Sequence, residues 1–157
     1  MTSVKERLKA LGLTLPKAAA PVANYVPFVR AGDLVVISGQ VCFGPDGTIA
    51  PEHVGKVGGN VSPEAGKAAA RLCALNVLAQ LEASVGDLDR ALEQCVRLGG
   101  FINAAPGFSA VAGVMNGASD LMVEVLGDLG RHARSTVGVA ELPLDAAVEV
   151  EAIFQVR

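Results

Sequence analysis

The 157-residue sequence has no tryptophan, one tyrosine and an aromatic content of 4%, so it lacks the stacking platforms on which single-stranded nucleic acid is held. Positive charge is not in excess either. Thirteen Lys and Arg against 16 Asp and Glu leave a net charge of −3, which offers no general attraction to nucleic acid or to an anionic membrane. Charged residues of both signs amount to only 18%, against 51% hydrophobic. That balance excludes a disordered chain. It is also thin cover for the roughly 7,400 Å² that a folded monomer of this size exposes, so part of the surface is expected to be buried against other subunits.

Cysteine is confined to Cys42, Cys73 and Cys95, an odd number with no CxxC or metal-ligand spacing. Each lies in an apolar run and reads as a small buried hydrophobe, a usage that suits a reducing compartment. The start, Met1-Thr-Ser-Val-Lys-Glu-Arg, has no apolar signal core. The uncharged stretch Leu98–Ser119 is interrupted by Gly, Asn and Pro, unlike a membrane span. A cytoplasmic protein is expected. GxSxG, P-loop and Rossmann glycine patterns are missing, and His53 and His132 have no partner at ligand spacing, so both read as loop or surface residues. Nothing calls for a metal or a cofactor.

What is present is a succession of short elements. Ser3–Leu11 reads as a helix with Val4, Leu8 and Leu11 on one face, and Pro16–Pro27 as extended chain. From Phe28 a hairpin turns at Ala31-Gly32-Asp33 into the β-branched strand Leu34–Phe43, which Gly44-Pro-Asp-Gly closes. Residues 50–61 read as a loop. Ser62-Pro63-Glu64 supplies a cap, a first-turn proline and an acid at the dipole, starting a helix that runs to about Ser84. Leu92–Asn103 reads as a strand. Val111–Leu129 reads as a second long helix, and Ser135–Ala140 and Ala146–Val156 as the last strands. The order β-β-(β)-α-β-α-β-β describes an α+β layering of two helices on one sheet, with the other sheet face left for a partner.

Few residues remain for chemistry. Arg134 opens a strand, and in Val148-Glu-Val-Glu-Ala-Ile-Phe the acids Glu149 and Glu151 share one strand face with valines on the other. Two readings follow from the residues: a solvated edge of a half-buried sheet, or a cleft in which Arg134 pairs a carboxylate while a Glu handles a proton.

The run His132-Ala-Arg-Ser-Thr-Val-Gly-Val-Ala-Glu-Leu-Pro-Leu-Asp-Ala-Ala-Val-Glu-Val-Glu-Ala resembles the C-terminal signature of the RidA (YjgF-type) family, an Arg followed by a Leu-Pro turn and a Glu-x-Glu strand. Leu34-Val-Val-Ile-Ser-Gly-Gln resembles that family's Ser-Gly-Gln strand, Tyr25 falls on its active-site Tyr and Asn116 on its helix-borne Asn. The resemblance covers about residues 20–157 of a single domain, leaving 1–19 as an N-terminal extension. It implies a chorismate-mutase-like α+β fold, two helices on one mixed sheet, assembled as a homotrimer with clefts between subunits. It further implies cofactor-independent hydrolysis of small 2-enamine or 2-imino acids to 2-keto acids and ammonia. By position, Arg134 would clamp the substrate carboxylate and Glu149 activate water, with Tyr25, Ser38, Gly39, Asn116 and Thr136 lining the cleft, while Glu151 stays structural. A small-carboxylate sensor built on the same Arg134 is the alternative; an endoribonuclease fits the acidic, aromatic-poor composition less well. Ala23-Asn24 replaces the family's Gly-Pro, Ala118, Ser119, Leu121 and Met122 stand where aromatics are common, and the loop 47–61 is longer. The chain thus resembles a divergent branch.

Overall fold

The computed structural model describes residues 2–20 and 23–157. Five strands form one sheet in the order β1-β2-β5-β3-β4: β1 (Phe28–Ala31), β2 (Leu34–Val41), β3 (Leu92–Asn103), β4 (Ala133–Val139) and β5 (Val148–Val156). Only the β3–β4 pair is parallel; the others are antiparallel. The sheet is therefore mixed, as expected. Of the helices, α1 (Val4–Ala10), α2 (Pro63–Val85), a single-turn α3 (Leu88–Ala91) and α4 (Val111–Leu126), the two long ones cover one sheet face.

Local chemistry accounts for the boundaries. Ser3 and Glu6 form a reciprocal capping box on α1, which satisfies two orphan donors at once. Ser62 accepts from the Ala65 amide to start α2. Gly86 and Gly127, both at positive φ, close α2 and α4, so α4 ends three residues before the expected Leu129. The α3 turn was not expected; Asp87 caps it by accepting from the Arg90 amide. Among the described residues no third strand precedes α2. The loop around residues 54–61 makes only isolated bridges, because Gly55 and Gly58 take positive φ and the Asn60 side chain occupies the turn, accepting from the Lys56 amide and donating to the Val54 carbonyl. Residues 21 and 22 of the expected extended stretch lie outside the described residues.

Val148, Val150, Ala152 and Phe154 alternate into the core with Val35, Ile37, Leu98 and Ile102, against Leu78, Leu81, Met115 and Leu121 of the helices. All three cysteines are buried there. Helices α2 and α4 approach closely because Gly117 faces the Lys67 carbonyl, where a Cβ would collide. On the uncovered face Val29, Leu34, Val36 and Val137 stay exposed, beside the half-buried Glu149, Glu151 and Ile153. The alternation that builds the core thus leaves a hydrophobic sheet face open.

Candidate functional site

Register separates the predicted site residues into two groups. Arg134 lies opposite Leu98, whose other neighbour is Ala152, so its side chain shares the helix-covered face. Glu149 lies opposite Phe101 on the uncovered face. The two are two strands and three register positions apart, on the order of 14 Å between Cα atoms by strand spacing and rise. Within one chain they do not form a single site.

The first group is built where β4 meets α4. Nη1 of Arg134 donates to Asn116 Oδ1 (2.8 Å) and to Ser119 Oγ (3.0 Å), and Nη2 donates to the Ala112 carbonyl (3.2 Å). Three of the five guanidinium donors are engaged among the described residues. The Nε–H and one Nη2–H remain for a ligand carboxylate. Ser119 is itself fixed. His132 Nδ1 lies 2.6 Å from the Gly130 carbonyl and His132 Nε2 lies 2.9 Å from Ser119 Oγ. A carbonyl only accepts, so Nδ1 carries the proton; Nε2 then accepts from the Ser119 hydroxyl, whose oxygen accepts from Arg134. His132 is a loop residue, as the loop-or-surface reading allowed, but it is half-buried and ends a relay that orients the guanidinium. The sequence carried no signal for this relay, since residues 119 and 132 meet only when the loop after α4 folds back. Thr136, opposite Gly100, points the same way as Arg134, and its buried Oγ1 has no partner among the described residues.

The second group surrounds a cavity of about 380 Å³ whose lining includes Tyr25, Gly39, Val41, Leu144 and Glu149. The β2 ladder is bulged between Ile37 and Gln40, at Ser38 and Gly39, a device that re-aims local chain. A Cβ at Gly39 would collide with the Glu149 carboxylate, so glycine there makes the room that the carboxylate occupies. Ser38 anchors the segment carrying Tyr25: its amide donates to the Pro27 carbonyl and its hydroxyl to the Val26 carbonyl (2.7 Å). Tyr25 itself is 55% exposed. Burial, and then the neighbouring Glu151 charge, raise the Glu149 carboxyl above its ordinary value. Glu151 is held instead by Arg97 at 3.3 Å. A carboxyl that keeps its proton more readily than usual, at a cavity edge and with no cation beside it among the described residues, is equipped to take and return protons.

His53 lies in the connection before α2, in line with the loop-or-surface expectation, but is not at the surface. It is buried because the single 3-10 turn Pro51–His53 packs onto the chain entering β5, where the Ala147 amide donates to the His53 carbonyl (2.9 Å). Among the described residues no cluster of three or more His, Cys, Asp or Glu side chains could hold a metal, and no helix is long and apolar enough to cross a membrane.

The family model described as "YjgF/chorismate_mutase-like, putative endoribonuclease" matches residues 5–155. Protein TCP17 of Trypanosoma cruzi is 45% identical over 155 residues, 98% of this chain and 94% of that protein. A crystal structure of a protein of unknown function from Agrobacterium tumefaciens has 44% identity and a TM-score of 0.90, with 98% of this chain and 92% of that one covered. A structure of TdcF from E. coli with bound serine has 27% identity and a TM-score of 0.62, covering 90% and 94%. The Arg134-to-Glu149 segment, the mixed sheet carrying two helices and these matches agree: the chain belongs to the YjgF/RidA family.

Proposed function

We propose that the protein is a cofactor-independent deaminase that hydrolyses 2-enamine or 2-imino acids to 2-keto acids and ammonia, at clefts formed between the subunits of a homotrimer. The observation that carries this reading is the division of labour between the two groups. Among the described residues, Arg134 is a pre-oriented cation with free donors and no acid beside it, and Glu149 is an acid with a raised pKa and no cation beside it. Each supplies what the other lacks. The open hydrophobic sheet face supports assembly, because a second subunit laid on it would be positioned against the Glu149 cavity.

The chemistry asks little more of the protein. An imine carbon is already electrophilic, so the carboxylate anchor chiefly fixes orientation. A guanidinium offers the fork for this that a lysine does not. Glu149 takes a proton from the attacking water as the C–O bond forms and gives it to nitrogen as the C=N π bond opens. It then takes the proton of the new hydroxyl as the C=O bond forms and gives it to the amine, which leaves as ammonia when the C–N bond breaks. Tyr25 and Asn116 would bound the cleft from the two sides, and the backbone around Thr136 would face the substrate from the Arg134 side.

A small-carboxylate binder without turnover is the second reading, favoured by the bound serine of the TdcF structure. Nuclease activity has less support, since the net charge is −3 and there is no tryptophan for base stacking. Turnover separates the first two. With 2-aminoacrylate generated in situ, the deaminase reading expects hydrolysis faster than the spontaneous rate by a trimer in sedimentation. A trimer that binds 2-keto acids but leaves the spontaneous rate unchanged would establish the binder, and a monomer at micromolar concentration would remove the shared cleft.

A further inference from the structure

We propose that Ser119 and His132 form a nucleophile–base pair that gives the Arg134 cluster a second activity, acyl transfer from a small ester or thioester that also carries a free carboxylate. The serine's surroundings are the first observation. Ala112, Asn116 and Ser119 recur at i, i+4 and i+7 of α4 and so share one helix face, the face that meets Arg134. A serine inside a helix commonly turns its hydroxyl back onto a carbonyl of the preceding turn, as Ser84 of α2 does onto the Leu81 carbonyl (2.7 Å). Ser119 makes no such bond among the described residues. Its oxygen instead lies 2.9 Å from His132 Nε2 and 3.0 Å from Arg134 Nη1.

The second is the tautomer of His132. Its Nδ1 proton is committed to the Gly130 carbonyl at 2.6 Å, which fixes the ring and leaves the Nε2 lone pair aimed at the Ser119 hydroxyl. Steadying an arginine needs only an acceptor at position 119. It does not need an imidazole behind that acceptor, locked in the tautomer that takes a proton. A hydroxyl within reach of a base that a third group orients is the arrangement of an activated nucleophile. The third observation is charge. Arg134 Nη1 rests against the same oxygen, so an alkoxide developing there meets a cation. Asn116 accepts from Arg134 through Oδ1 (2.8 Å), and its Nδ2 has no partner among the described residues, which leaves it to donate to an oxyanion. The free Nε–H and Nη2–H of Arg134 can hold the substrate's carboxylate. Ser119 and His132 are half-buried and Asn116 is exposed, so the pair is open to a ligand.

These residues and water balance the reaction. Ser119 Oγ attacks the acyl carbon as its proton passes to His132 Nε2. The bond to the leaving oxygen or sulfur then breaks, and the alcohol or thiol departs with that proton. Water repeats the sequence on the acyl-serine: its oxygen bonds to the acyl carbon while Nε2 takes a proton. The Ser119 ester bond breaks as Oγ recovers that proton, and a carboxylic acid is released. Glu149 and a second subunit take no part, so a chain that hydrolyses no imine would still show this activity.

The test uses mono-4-nitrophenyl succinate, with 4-nitrophenyl acetate as the control that lacks a carboxylate, on the full chain and on Ser119→Ala and His132→Gln. Acid quenching and peptide mass spectrometry locate any acyl group. The parent is expected to release nitrophenolate from the succinate ester in a burst and to carry the succinyl group on Ser119. It should prefer that ester to the acetate by roughly tenfold or more in kcat/KM, the worth of one charge-assisted pair. Ser119→Ala should lose the burst and the adduct. His132→Gln still accepts from Ser119 but is no base, so it should lose ~10²-fold or more in kcat/KM; if Ser119→Ala fails to fold, this variant decides the matter. An adduct only at other residues, or the parent's rate in Ser119→Ala, overturns the nucleophile. The parent's rate in His132→Gln overturns the base, and equal rates on the two esters overturn the carboxylate-bearing substrate.

Discussion

The surroundings of Arg134 and of Glu149 are made in opposite ways. Arg134 is over-determined: two side chains and one helix carbonyl hold its guanidinium, and a histidine holds one of those side chains. Among the described residues no hydrogen bond reaches the Glu149 carboxylate, which rests against a glycine in an apolar cavity that burial makes unfavourable for its charge. A cation meant to anchor a substrate works best when it is already aimed, since any freedom must be lost on binding. An acid meant to exchange protons works best when its charge is poorly solvated. The difference indicates that positioning has been assigned to one cluster and proton chemistry to the other.

The largest expected effect comes from breaking the anchor. Arg134→Lys keeps the charge but loses the fork and its three bonds, so kcat/KM should fall by ~10²-fold or more while sedimentation still shows the assembled state. A variant with the parent's kcat/KM would return Arg134 to the solvated-edge reading.

Glu149→Gln sharpens the contrast on the other side. It should lower kcat while calorimetry still shows 2-keto acid binding, because the anchor is intact. It should also be more stable than the parent at neutral pH. The carboxyl pKa is raised on folding, so the native chain holds this proton more tightly than the unfolded one. Stability is then lost as pH climbs from the ordinary carboxylate range through the raised value. The Tm advantage of Glu149→Gln should accordingly shrink to nothing once pH drops below that range. An advantage equal at all pH values would contradict burial as the cause.

Loosening the relay should have a smaller effect. Ser119→Ala removes one Arg134 contact and strands His132 Nε2, so we expect KM for the imine to rise ~10-fold with a lesser change in kcat, and His132→Gln, which can still accept from Ser119, to raise KM less. A purely structural role would lower Tm and leave KM alone. The smallest effect belongs to Cys95, whose thiol burial pushes up to about 12. Cys95→Ser should cost stability and leave kcat/KM unchanged, and a thiol reagent should label the native chain slowly.

The contrast also shows what a sequence can and cannot carry. Alternation and capping chemistry placed α2 between Ser62 and Gly86 and put the Glu149 and Glu151 side chains on one strand face, because those signals are local. Strand β4 begins two residues before the expected Ser135, since edge pairing with Arg97 and Leu98 extends it. The Ser119–His132–Arg134 relay and the burial of His53 are long-range outcomes: each depends on residues far away in sequence whose meeting leaves no periodic trace. Arg134 and Glu149 were legible as a pair by resemblance, yet their placement on opposite sheet faces follows only from register.

Mixing Arg134→Ala with Glu149→Gln tests the shared cleft most directly. Each variant alone should be inactive. After dissociation and joint reassembly at equal amounts, a cleft that takes its arginine from one subunit and its glutamate from the next is intact in about one case in four. Recovery of about a quarter of the parent's kcat is the predicted result, and no recovery from well-mixed trimers would contradict the account.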